Sequence, residues 1–262
     1  MFQENVIILQ SRRIADNVHT LEFESERIAG AARPGQFLNI KPDSSLDPLL
    51  RRAYSIHRIE GNRIEIVYNV VGKGSAIFAA KRPGDTLDVM GPLGVPFHYE
   101  GEYRTGILVS GGVGIAPMPV LGSALAAMGK DVVNIHGARS VGMIADDGRL
   151  INPRYATDDG SIGFRGNVVG ALAAYLDEEA PDSPRVFACG PNKMLSALGA
   201  FCSSRGIPLE VSLECQMACG IGICQGCPVE MATGDRKYTL VCTHGPNYDI
   251  NDVLLESLPS VH

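Results

Sequence analysis

Four of the chain's seven cysteines fall between residues 215 and 227, and no other feature restricts the fold so tightly. The run reads Cys215-Gln216-Met217-Ala218-Cys219-Gly220-Ile221-Gly222-Ile223-Cys224-Gln225-Gly226-Cys227, with Cys242 further on. Cys219, Cys224, Cys227 and Cys242 together give C-x4-C-x2-C and a distant fourth cysteine, the plant-type [2Fe–2S] spacing. Each of two irons takes two protein sulfurs, so four thiolates are needed. Gly220, Gly222 and Gly226 let the backbone coil tightly and aim N–H groups at the sulfurs. Such hydrogen bonds help set a reduction potential. A structural zinc site is the competing reading, but it usually takes two C-x2-C pairs and the chain has one. One alternative of register stays open. Cys215 could replace Cys242 as fourth ligand, although the spacing favours Cys242 and leaves Cys215 as a small buried residue. Cys202, in a helical segment, reads as an ordinary buried thiol.

Cysteines clustered in this way point to a metal or cluster in a reducing, cytoplasmic setting rather than to disulfides. The 262 residues suffice for one large domain or two to three small ones. With 45% hydrophobic and 20% charged residues, the composition is that of a globular chain and excludes disorder. A net charge of −6, no Lys/Arg cluster and no Trp argue against a nucleic-acid partner. The start, Met1-Phe2-Gln3-Glu4-Asn5, lacks the basic and apolar regions of a signal peptide. Gly106 to Gly129 is uncharged and long enough for a bilayer, but Gly111-Gly112, Pro117 and Pro119 interrupt it. It parses as strand, turn and helix, so no membrane partner is expected.

Hydrophobic patterning divides the chain into three expected domains: 1–100, 101–206 and 207–262. The first carries short runs at Val6–Leu9, Thr20–Phe23, Phe37–Ile40, Ala53–Ile56, Ile64–Val71 and Thr86–Val89, separated by turn signals. These predict a small antiparallel β-barrel. From Thr105 the pattern alternates. Strands are predicted at Gly106–Ser110, Asp131–His136 and Arg185–Cys189, and helices at Pro117–Met128, Asn167–Leu176 and Asn192–Ser204. That order implies a doubly wound parallel sheet. The third part opens with a strand at Leu209–Leu213 and continues into the cysteine loop.

Three local motifs add nucleotide chemistry. Arg52-Ala53-Tyr54-Ser55 lies on a barrel strand, where Arg52 could pair with a pyrophosphate and Tyr54 could cover a flavin ring. Val71-Gly72-Lys73-Gly74-Ser75 opens a helix and presents free N–H groups to phosphate; the plain alternative is a helix N-cap at Ser75. Ser110-Gly111-Gly112-Val113-Gly114-Ile115-Ala116-Pro117 follows a strand and opens a helix. It has G-x-G, but Pro117 stands where the usual fingerprint has its third glycine. Cys189-Gly190-Pro191 closes a later strand, at the edge where α/β sheets bind ligands.

The order Arg-x-Tyr-Ser, Gly-Lys-Gly-Ser, Gly-Gly-x-Gly-x-x-Pro, Cys-Gly-Pro and cysteine loop resembles the ferredoxin–NADP reductase superfamily. Within it, the chain is most similar to the electron-transfer subunits of dihydroorotate dehydrogenase B. Pro34-Gly35-Gln36-Phe37, Met90-Gly91-Pro92-Leu93-Gly94 and Thr157-Asp158-Asp159-Gly160-Ser161 are further similar stretches. The resemblance implies an FAD barrel, a pyridine-nucleotide domain and a C-terminal cluster domain. It implies FAD contacts from Arg52–Ser55, Tyr68-Asn69-Val70 and Gly74-Ser75. Cys189 could sit near the nicotinamide of NAD(H); the plain alternative is a buried strand-end thiol. Departures stand at Ala53-Tyr54-Ser55, where Pro-Ile-Ser is common, at His244-Gly245-Pro246-Asn247-Tyr248, where Asp-Gly-Pro-Val-Phe is common, and across Val141–Tyr155.

An FMN barrel takes about 250 residues, so no room is left for one here. The resemblance therefore implies an FMN-containing catalytic partner subunit, two copies of each chain, and a role in pyrimidine biosynthesis. Met217 and Ile221–Ile223 are candidate contact residues; the plain alternative is that they only shield the cluster from water. Arg139-Ser140 could meet a 2′-phosphate, which leaves NAD against NADP open. The alternatives are a small subunit of another flavin/iron–sulfur oxidoreductase, such as a bifurcating reductase, and a non-redox zinc-stabilised nucleotide-binding module. Cys219 argues against the bifurcating type, which typically has Asp there.

Overall fold

A computed structural model describes residues 1–258, so the last four residues of the expected cluster domain lie outside it. Six strands close into an antiparallel barrel in the order β1-β2-β5-β4-β3-β6. They are β1 (Phe2–Ala15), β2 (Val18–Glu24), β3 (Phe37–Lys41), β4 (Arg52–Glu60), β5 (Arg63–Asn69) and β6 (Thr86–Leu93). All six match the runs expected from sequence. Two helices attend the barrel, α1 (Glu26–Ala31) and α2 (Lys73–Ala80). On β3 the alternation of a strand sorts residues between two cores. Leu38 and Ile40 enter the barrel core with Phe23, Ile56 and Val89, whereas Phe37 joins the core beneath the parallel sheet.

That sheet has seven strands in the order β10-β9-β8-β7-β11-β12-β15. Its members are β7 (Thr105–Gly111), β8 (Asp131–Ala138), β9 (Pro153–Thr157), β10 (Phe164–Arg165), β11 (Pro184–Cys189) and β12 (Leu209–Ser212), all parallel, and β15 (Asn247–Asp249), antiparallel to β12. Helices α3 (Met118–Ala127), α4 (Val168–Glu179) and α5 (Asn192–Arg205) cover its faces. Both faces are apolar, as a parallel sheet requires. Ile107 and Val109 pack with Leu172 and Leu195, while Leu108 packs with Leu121 and Leu125 on the other side. Among the described residues no helix is long and apolar enough to cross a membrane.

The expected boundary at residue 207 falls inside this sheet. Leu209–Ser212 pairs with Val186–Cys189, the chain then leaves for the cysteine loop, and it returns to the same edge as β15. The excursion carries a small sheet of β13 (Pro228–Met231), β14 (Tyr238–Leu240) and β16 (Val253–Leu254), together with α6 (Val241–His244). Strand β9 and the short β10 also went unpredicted.

Three parts meet at Asn247. Its side-chain amide donates to the carbonyls of Gly35 (3.1 Å) and Val95 (2.7 Å), tying the sheet edge to the barrel. Asn247 and Gly35 are buried, so the Gly35 carbonyl has no water to fall back on, and Val95 is half-buried. Asn247→Ala should therefore cost about 1–3 kcal/mol of stability for each carbonyl left unpaired. Chemical denaturation of both proteins checks this; a loss below a few tenths of a kcal/mol would deny the junction its structural role.

Candidate functional site

A cleft of about 350 Å³ runs between the barrel and the C-terminal edge of the sheet. From the barrel come Phe37, Arg52, Ala53, Tyr54, Ser55, Tyr68 and Asn69, and from the first turn of α2 come Gly72, Lys73, Gly74 and Ser75. The sheet contributes Val113, Ala116, Cys189 and Ser212, and the cysteine segment contributes Glu214, Cys215, Met217 and Pro246. Most of the barrel residues expected from sequence are thus brought together. Val70 is the exception: its N–H donates to Asn17 (2.9 Å) and it packs on the barrel core, while Val71 lines the cleft.

Arg52 lies over the start of α2, because a Cβ built on Gly74 would stand 3.0 Å from its Nε. A guanidinium beside a helix N-terminus is a site for an anion. Ser75 is not the N-cap. It sits one turn in, where its Oγ accepts from the N–H groups of Val71 (2.9 Å) and Gly72 (3.1 Å) and holds the glycine turn. Tyr54 and Tyr68 stack obliquely with ring centroids 5.4 Å apart. Burial pushes both hydroxyls well above their ordinary pKa, and the Tyr68 hydroxyl has no hydrogen-bond partner.

A second cleft, of about 430 Å³, opens beside the first and shares Asn69, Val113 and Glu214 with it. Gly111, Gly112, Gly137, Arg139, Asp158, Asn167, Pro191 and Met194 also line it. Its position follows from topology. Strands β7 and β11 are neighbours but lie far apart in sequence, and their C-terminal ends make the switch point where such sheets bind ligands. Gly114, Pro117 and Gly190 line neither cleft. Pro117 precedes α3, and Gly114 packs against the end of β11. A Cβ on Gly114 would lie 2.2 Å from the Cys189 carbonyl oxygen. Cys189 is buried, and burial raises its thiol well above the usual value, with Glu214 adding to the effect. Beneath the turn, burial drives His136 down to about 4, so it is neutral and its Nδ1 bonds Ser110 Oγ at 2.9 Å.

The cysteine loop closes the far side. Cys219 Sγ accepts from the N–H groups of Ile221 (3.5 Å) and Cys224 (3.4 Å), and Cys224 Sγ accepts from Gly226 (3.4 Å). Positive φ at Gly220, Gly222 and Gln225 produces the coil; Gly226, expected to share in it, supplies an N–H instead. The thiols fall into pairs, Cys219 with Cys224 and Cys227 with Cys242. Two pairs suit two irons. Cys215 is also close, hydrogen-bonded to Cys227; that bond and burial push its thiol up, just as burial and Cys227 push Cys242 up to about 12, while Cys227 is held down. A Gly222 backbone hydrogen bond reaches Cys242, and no backbone group does the same for Cys215. Cys202 is buried in α5, as expected.

Sequence reasoning missed Glu214, Asp158, Met194 and Phe37. Asp158 and Phe37 stood in recognised stretches without a role, and Glu214 had only its place before Cys215 as a signal. Met217 and Ile221, expected on a contact surface, pack against the core; Ile223 is 77% exposed. The close approach at Gly114 yields a direct test. Gly114→Ala should displace the end of β11 and cost at least about 1–3 kcal/mol through overpacking. A melting temperature equal to that of the parent would contradict the contact.

Residues 214–254 match the model of the iron-sulfur cluster binding domain of dihydroorotate dehydrogenase B. Among curated proteins, the dihydroorotate dehydrogenase B (NAD(+)) electron transfer subunit of Geobacillus thermodenitrificans is 34% identical over 260 residues, covering 97% of this chain and 99% of that one. The subunit of the same name from Desulforamulus reducens is 34% identical over 256 residues. Among solved structures, a chain of an NADH-dependent reduced ferredoxin-NADP oxidoreductase superposes with a TM-score of 0.84 at 27% identity, over 97% of this chain and 91% of that one. A ferredoxin NADP+ reductase from Neisseria gonorrhoeae shares the fold over 80% of this chain and 99% of that one, with a TM-score of 0.67 at 18% identity. With a third of positions identical across nearly the full length of both chains, this protein belongs to the family of dihydroorotate dehydrogenase B electron transfer subunits.

Proposed function

We propose that this chain passes electrons between NAD(H), FAD, a [2Fe–2S] cluster and the FMN of a partner subunit that holds the dihydroorotate site. The observation that carries the reading is convergence. One cleft is walled jointly by the barrel, the sheet edge and the cysteine segment, and it shares three residues with the nucleotide cleft. When bound, FAD converts a two-electron hydride into single electrons that a [2Fe–2S] cluster can accept.

The residues of the chain bind and orient. Arg52 and the N–H groups around Gly74 and Ser75 suit the diphosphate of FAD. Ala53, Tyr54, Ser55, Tyr68 and Asn69 suit its ring, with Val70 holding the strand end behind them. Gly111, Gly112 and Pro191 line the nucleotide cleft, Cys189 lines the neighbouring flavin cleft, and Gly114, Pro117 and Gly190 support the turn and strand end behind them. Cys219, Cys224, Cys227 and Cys242 suit the cluster, and Cys215 stands behind Cys227. No side chain need act as a strong acid or base, because the cofactors carry the chemistry.

The acceptor would dock where the loop reaches the surface, at Cys224 and Ile223. Exposed Leu46, Leu49 and Leu50 flank Asp47, whose ion pair with Lys73 ties their loop to the cleft rim. We place the FMN-containing catalytic subunit there, with two copies of each chain, in the cytoplasm. The likeness to the NADH-dependent reduced ferredoxin-NADP oxidoreductase supports a second reading, a small subunit of another flavin/iron–sulfur enzyme.

Purified with its neighbouring subunit, the protein should reduce NAD in a dihydroorotate-dependent assay. Alone, it should pass electrons from NADH to an artificial acceptor and leave dihydroorotate untouched. Oxidation of dihydroorotate by the isolated chain would overturn the division of labour, and failure of the two chains to associate would favour the second reading. A further test concerns the ligands. Cys242→Ser should lose the cluster, whereas Cys215→Ser should keep the visible absorption and about two irons per chain; the reverse pattern would exchange their roles.

A further inference from the structure

Strand β3 touches both cofactor sites with one face. Phe37 lines the flavin cleft, and Asn39, two residues on and therefore on the same face, points to the cysteine loop. Asn39 is 1% exposed, and its side-chain amide donates to the Cys219 carbonyl at 2.8 Å. The contact continues into the next residue. A Cβ on Gly220 would lie 2.6 Å from the Asn39 amide nitrogen and 3.7 Å from the Phe37 ring, so barrel and loop meet at bare backbone.

Two further features fix Asn39 itself. Arg51 donates to the Asn39 carbonyl (3.3 Å) and to that of Asp88 (2.9 Å), clamping the strand to β6. Opposite, the register of β3 with β6 shifts between Phe37 and Asn39, where Gly91-Pro92 adds a residue to the partner strand. Bulges of this kind re-aim side chains beside active sites.

We infer that Asn39 is a positioning residue for electron transfer, holding the first segment of the cluster loop at a fixed distance from the flavin cleft. The inference rests on the reading of the cysteine loop as a cluster site. Electron tunnelling falls off exponentially with distance, so a small outward shift of Cys219 slows transfer without removing either cofactor. Iron retention does not need this bond, because it is made to the Cys219 backbone carbonyl and leaves all four thiols free. What the bond sets is where the loop sits.

The test uses the full chain with flavin and iron in place. Asn39→Ala removes the donor; Asn39→His places a ring nitrogen at the same δ position and restores one. In Asn39→Ala, iron content and flavin absorption should stay at parent values and NADH should reduce the flavin at the parent rate. Reduction of the cluster should then slow by roughly 3- to 10-fold, the population change expected for the loss of one net hydrogen bond. The magnetic-resonance lines of the reduced cluster should shift or broaden, and Asn39→His should reverse both changes. Parent-like transfer and parent-like lines in Asn39→Ala would overturn the inference alone. Joint loss of flavin and iron that Asn39→His does not repair would assign the residue to barrel stability and also overturn it. A parent chain that holds no iron would overturn the cluster reading with it.

Discussion

Two hydrogen bonds from one amide hold the three parts in register. Asn247 closes the edge strand β15, and its Nδ2 reaches the barrel carbonyls of Gly35 and Val95. The backbone repeats the contact nearby, where the Val95 N–H donates to Gly245 and the Leu213 N–H donates to Pro246. Gly35 and Gly94 leave no space for a side chain on the barrel side. The sheet edge, barrel and cysteine excursion therefore share one short stretch of chain. That stretch works together with the apolar contacts that join Phe37 and Leu93 of the barrel to the core of the sheet and of the cysteine excursion.

A different kind of contact secures the other side of the barrel. Glu65, buried on β5, receives Arg12 at 3.1 Å and Arg58 at 3.2 Å, with Arg149 of the sheet domain at 3.7 Å. Asp147 joins through Arg12. Next to them, His57 bonds the Ala116 carbonyl at 2.8 Å, and burial lowers its pKa, which keeps the ring neutral. Buried charges add little net stability once desolvation is counted, but removing one partner is costly. Such a network orients two domains rather than gluing them. It complements Asn247, since both junctions tie the barrel to the sheet.

Much of this was readable from local pattern. Six barrel strands, three helices and the central parallel strands follow from alternation, 3.6-residue spacing and turn residues. The cysteine spacing marked the cluster loop, whose residues 214–254 match the iron-sulfur binding domain, and left Cys215 and Cys242 as alternatives for the fourth ligand. What escaped was set by long-range pairing. Nothing local in Leu209–Ser212 says that it extends a sheet begun a hundred residues earlier, so a boundary at residue 207 looked natural. β9 and β10 lie beside a segment without clear periodicity and are defined by parallel partners. Val70 and Val71 exchanged roles because the strand ends at Asn69, which neither residue announces. Met217 and Ile221 turned inward because the loop packs its apolar residues on the core, leaving Ile223 outside. Glu214 gains meaning only where two clefts meet.

The chain leaves the sheet after Ser212 and rejoins it at Asn247, and these residues face each other across one ladder. Neighbouring strands lie roughly 4.8 Å apart, so a tight turn could bridge the gap. The iron-binding part is in that sense a detachable cartridge plugged into an edge. A shortened chain that joins Ser212 to Asn247 through a two-residue turn would keep the barrel, the sheet and the two Asn247 side-chain bonds, but not the backbone bonds made by Leu213, Gly245 and Pro246. Its flavin face, however, would lose the wall formed by Glu214, Cys215 and Met217. The part that carries electrons away is also the part that shelters their source.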